Sequence, residues 1–134
     1  MINYILQYLI VLFVFLVIDL LWVTVIAKKL YADKLGYIMR EKVKMLAAFA
    51  FYLIYVFGLM VFIILPAMQD DSVIAILSKS MLFGFIAYGT YDFTNYATIK
   101  QWPLLITIVD VIWGAVLTGS TCLISSQIID VIFK

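Results

Sequence analysis

Histidine is missing from all 134 residues, cysteine occurs once, proline twice, and charged side chains make up only 13% of the chain. Each shortage excludes something. Without histidine, the commonest metal ligand and the commonest general base are gone, so carboxylates, phenols and amides must carry any chemistry. The single cysteine, Cys122, forbids an intramolecular disulfide framework and reads as a small buried hydrophobe. A net charge of +1 gives no argument for nucleic-acid binding. No basic n-region or small-residue cleavage pattern opens the chain and no lipidation motif marks either end, so the first apolar run is expected to be a retained span.

What is abundant is apolar surface. Hydrophobic residues make up 67% of the chain and mean hydropathy is +1.18, far from the roughly half-apolar balance of soluble domains. Such a chain is an integral membrane protein. The length suits one transmembrane domain over residues 1–134: an all-α bundle of four spans at about 5–27, 45–66, 73–99 and 103–129. Trp102-Pro103 and Pro66 punctuate the span ends.

Charge sets the expected orientation. The linker between the first two spans carries Lys28, Lys29, Lys34, Arg40, Lys42 and Lys44. By the positive-inside rule it and the Lys100 turn lie in the cytoplasm, with both termini on the outer face. This linker is expected mainly as a solvated loop, the other reading being a short amphipathic helix near Tyr31 to Val43. Lys79, just inside the third span, is expected to snorkel outward toward Asp70 or Asp71.

Three acids interrupt the apolar runs: Asp19, Asp92 and Asp110. A charged side chain at the bilayer centre costs about 3 kcal/mol on insertion scales, so three such residues are a functional hypothesis by default. Counted from the basic ends of their spans, all three lie roughly 10 to 14 Å deep. They are expected to form one layer, with Tyr52 and Tyr55 of the second span at a similar depth. Tyr88, Asp92 and Asn95 fall on one helical face, as do Thr107, Asp110, Trp113 and Gly114. The pattern Asp-x-x-Trp occurs twice, at Asp19–Trp22 and Asp110–Trp113, in helices of opposite direction. The two tryptophans are therefore expected on opposite sides of the acidic layer, where their indole faces could hold a cation. No lysine or arginine within the spans reaches this depth, so the acids must share a proton, hold one, or bind a cation.

The stretch Phe83-Gly84-Phe85-Ile86-Ala87-Tyr88-Gly89-Thr90-Tyr91-Asp92-Phe93-Thr94-Asn95-Tyr96-Ala97-Thr98, with Trp102-Pro103, Thr107, Asp110, Trp113 and Gly114, resembles the DUF2177 family of uncharacterised bacterial four-span membrane proteins. Asp19, Trp22, Tyr31, Gly36, Phe51, Tyr52, Tyr55, Gly58 and Pro66 extend the resemblance over the chain. It implies a compact four-span bundle in the inner membrane and makes the acidic, aromatic and amide positions look like a family site. It implies no activity.

The leading functional reading is a small transporter or ion pathway that exchanges a proton for a cation or an amine-bearing substrate at Asp19, Asp92 and Asp110. Tyr52, Tyr55, Tyr88, Tyr91, Asn95 and Thr107 would complete the coordination, and Trp22 and Trp113 would wall the site. Four spans are few for a pathway, so a homodimer is expected. The other readings are an enzyme acting on a lipid substrate and an accessory subunit of a membrane complex. The Gly-x-Gly-Asp pattern of intramembrane aspartyl proteases is absent, since Thr107-Ile108-Val109 precedes Asp110. No catalytic residue, metal site or cofactor is assigned; the partners expected are membrane lipids and a small cation or lipid substrate.

Overall fold

A computed structural model describes residues 1–69 and 72–133, and among them there are helices and turns but no strand. We number the helices α1 (Ile2–Ile26), α2 (Lys28–Leu35), α3 (Met45–Ala67), α4 (Val73–Thr98) and α5 (Leu104–Phe133). All but α2 are long and apolar enough to cross a membrane. The first span starts three residues earlier than 5 and the last runs on to Phe133, because apolar residues carry the helical pattern past the polar positions at both ends. Asp70 and Asp71, the expected partners of Lys79, lie outside the described residues.

Local chemistry explains the boundaries. Ser72 caps α4, its hydroxyl accepting the Ala75 amide at 3.2 Å. Between α4 and α5 the chain reverses through Gln101 in the left-handed region, φ 62°, and Pro103 then leads into α5. Helix α3 ends at Ala67, so the span closes where expected, one residue past Pro66. The turn before it, Met60–Ile64, is π-helical, and a widened turn accommodates a ring that would otherwise strike the preceding carbonyls. A second π turn, Trp22–Ile26, closes α1, with the Ala27 amide reaching back to the Trp22 carbonyl at 2.8 Å.

Packing is uneven. The most extensive pairing joins α4 to α5, followed by α1 with α5 and α1 with α3. The helices thus form an arc in the order α3, α1, α5, α4. Backbone approach of α3 to α4 and α5 is mainly through Met60–Ile64, so the arc closes near the α3–α4 loop and stays open toward the basic end. Apolar side chains fill the closed part, among them Phe15, Val56, Leu59, Ile64 and Leu117. Phe13, Ile54, Leu82 and Ile112 point outward, as lipid-facing side chains do.

The α4–α5 contact depends on glycine. A Cβ at Gly84 would overlap the Gly114 carbonyl oxygen, and one at Gly114 would overlap the Tyr88 ring. These two positions let the backbones touch.

The linker between α1 and α3 is helical over 28–35 and an exposed loop over 36–44, so the solvated loop holds for its second half and no helix covers 31–43. Helix α2 spans Lys28–Leu35 and folds under the bundle. Its Tyr31 reaches Asp110, while Tyr37 beyond it donates to the Gln101 carbonyl at 2.5 Å.

Candidate functional site

The two Asp-x-x-Trp motifs meet because α1 and α5 run antiparallel. Asp19 is 6% exposed. Its Oδ2 accepts the Tyr52 hydroxyl at 2.7 Å, and its Oδ1 accepts the Trp113 indole N–H at 3.1 Å. At the other end of the pair, the Trp22 indole N–H donates to the Tyr31 hydroxyl oxygen at 3.0 Å, and Tyr31 donates to Asp110 Oδ1.

Between these bonds the Trp22 and Trp113 rings stack, with centroids 4.3 Å apart and planes 8° from parallel. Rings at that separation are in van der Waals contact. No cation fits between their faces, which corrects the expected placement of the tryptophans on opposite sides of the acids. The reason is register. Asp19 is level with Trp113, about 4.5 Å further along α5 than Asp110, so the acidic layer divides into two centres.

Asp92 belongs to the second centre. It has no exposed surface, and neither of its carboxyl oxygens receives a protein donor. Its side chain lies against that of Asp110. Ionised carboxylates only accept hydrogen bonds, so contact between two of them becomes a bond only when they share a proton. Beside the pair is a half-open cavity of about 360 Å³ lined by Phe51, Tyr55, Ala87, Tyr88, Tyr91 and Asp110. Aromatic rings form most of its wall.

The remaining sequence-derived residues divide between cavity and frame. Tyr55 lines the cavity while its hydroxyl pairs with Thr118 Oγ1 at 2.8 Å, and Tyr88 stands edge-on to it with ring centroids 6.1 Å apart. Tyr91 is exposed beside the cavity and interacts with Asn95 one turn along α4. Thr107 is fully buried. It accepts the Trp102 indole N–H at 3.1 Å and lies 3.4 Å from the Asp92 carbonyl oxygen, so it latches the α4–α5 turn rather than facing the cavity. Among the described residues, no group of three or more acidic or thiol side chains is placed to hold a metal ion.

Spacing within the spans could not find Tyr31, because it lies beyond the end of the first apolar run. Burial, reinforced by its bond to Asp110, pushes the Tyr31 phenol well above its ordinary value, so it stays a protonated donor. Removing the hydroxyl in Tyr31→Phe strands both the Trp22 N–H and Asp110 Oδ1, costing about 1–3 kcal/mol per stranded group. The expected outcome is loosening of α2, read as severalfold faster trypsin cleavage at Lys28, Lys29 and Lys34 while the spans remain protected.

Fold and site together define a multi-pass membrane protein with a buried centre of carboxyl, phenol and indole groups. The chain belongs to the family of predicted membrane proteins designated DUF2177, which it matches over residues 4–127. Neither the curated proteins nor the solved structures contain a match to it.

Proposed function

We propose that the protein is a small carrier that exchanges a proton for a cation at the Asp92–Asp110 pair. The observation that carries this reading is Asp92: wholly enclosed, without a protein donor on either oxygen, and in contact with an acid that lines a cavity. One proton bridging the pair satisfies both carboxyls, and a cation arriving at Asp110 replaces it. Charge is conserved at each exchange. In this reading Asp19 is a fixed anchor, since its two oxygens are already taken by Tyr52 and Trp113.

In the bacterial inner membrane, the basic residues between Lys28 and Lys44 would place α2 and the Lys100 turn in the cytoplasm and both termini outside. Four helices give one chain little wall for a full pathway, so the carrier would work as a homodimer.

Reconstitution in liposomes tests the exchange. Wild-type protein moves protons against a cation gradient, and Asp92→Asn lowers that flux by more than about tenfold while purifying as an intact bundle. Undiminished flux through Asp92→Asn would overturn the reading. A second reading, chemistry on a lipid, is favoured by the aromatic wall of the cavity and would appear as an altered lipid profile in expressing cells without any flux.

A further inference from the structure

We infer that the cavity beside Asp110 takes an amphiphilic organic cation directly from the bilayer, its charged head on Asp110 and its apolar body against the rings of Phe51, Tyr55, Tyr88 and Tyr91. This rests on the exchange reading and names its substrate class. Three observations carry it: the wall, the size and the mouth.

The wall is four aromatic rings, Ala87 and one carboxyl. An inorganic cation entering such a place must shed its hydration shell, and the acids available are too few to form a metal-binding group among the described residues. An organic ammonium or phosphonium has little hydration to lose and is attracted by ring faces. Asp110 repels an anionic amphiphile, and a neutral one gains nothing from it.

At about 360 Å³ the cavity is the size of a small-molecule site. It suits a compact body or a single chain, not a two-chain lipid.

The mouth lies between α3 and α4, which approach one another mainly at Met60–Ile64 and diverge toward the basic end. Phe51, 45% exposed, and Tyr91, 58% exposed, flank it. Phe51 follows the start of α3 by six residues and Tyr91 precedes the end of α4 by seven, which puts both roughly 10 Å inside the helix ends. At that depth the opening meets acyl chains rather than water.

Asp110 is faced by Asp92, Tyr88 and Tyr91 from α4, Asp19 from α1, Tyr31 from α2 and Tyr55 from α3. The phenols are neutral donors. Proton and cation therefore compete at the acid pair, and cation affinity rises with pH.

Equilibrium dialysis of the full chain in detergent with radiolabelled tetraphenylphosphonium tests the inference. Saturable binding that strengthens as pH is raised is expected, and it should weaken about tenfold or more in Asp110→Asn and roughly fivefold in Tyr91→Ala. Tyr91 is exposed, so its loss leaves the bundle folded and keeps the test readable if Asp110→Asn does not fold. Absence of saturable binding, or binding by both variants equal to that of wild type, overturns the inference. Proton flux driven by potassium alone, with tetraphenylphosphonium neither binding nor competing, would overturn it while leaving the exchange intact. Normal flux in Asp92→Asn would remove the exchange itself. Disulfide capture between two copies carrying Phe51→Cys and Tyr91→Cys would show the mouth to be a subunit interface and would also overturn lateral access.

Discussion

Replacing Gly84 by alanine will separate α4 from α5. The added methyl meets a backbone carbonyl, that of Gly114, and no rotamer change can move a backbone atom aside. Both helices must part, and between helices in lipid the lost packing has no hydrophobic term to replace it. Overpacking of this kind costs about 3 kcal/mol. Gly84→Ala protein is expected to unfold in detergent at a markedly lower temperature than wild type. Gly119→Ala supplies the comparison, since the atoms nearest its methyl belong to side chains, Met81 Cγ at 2.7 Å first, and a χ1 change can relieve them without parting the helices. Equal thermal stability of the two variants would show that the glycine contact does not hold the pair together.

Asp19→Ala is the second large effect. Two half-buried donors lose their acceptor at once, the Tyr52 hydroxyl and the Trp113 indole. A donor left without its acceptor costs about 1–3 kcal/mol, so a total near 3 kcal/mol is expected. Asp19→Asn keeps one carbonyl oxygen and should fall between wild type and alanine. Tyr52→Phe and Trp113→Phe should each cost less than Asp19→Ala. Chemical unfolding of the four variants in mixed micelles measures the order. If Asp19→Ala is no less stable than Tyr52→Phe, the anchor role is wrong.

Much of this arrangement was readable from residue spacing. Apolar runs and their punctuation fix four spans to within a few residues because a bilayer admits only helices of sufficient length. Small and polar residues on one face of α5, such as Thr107 and Gly114, mark the side that meets α4. Helix register was not readable. Depth counted from span ends carries an error of a turn, and one turn separates a single acidic layer from the two centres seen at Asp19 and at Asp92–Asp110. The π turns at Trp22 and Met60 were equally hidden, since nothing in an apolar run distinguishes a turn wound one residue wider. Spacing misses Tyr31, which only the family resemblance names, because its helix lies outside the apolar pattern and only tertiary contact turns it toward Asp110.

The stacked indoles mark a local pseudo-dyad. A half-turn about an axis through the Trp22–Trp113 stack would exchange α1 with α5 and Asp19 with Asp110. Were the relation perfect, each indole would grip the opposite acid directly and the two acids would be equivalent. The indole contacts break it: Trp113 reaches Asp19 itself, whereas Trp22 reaches Asp110 only through the phenol of Tyr31. A duplicated motif thereby yields two unlike acids, and the asymmetry resides in a side chain from outside both copies.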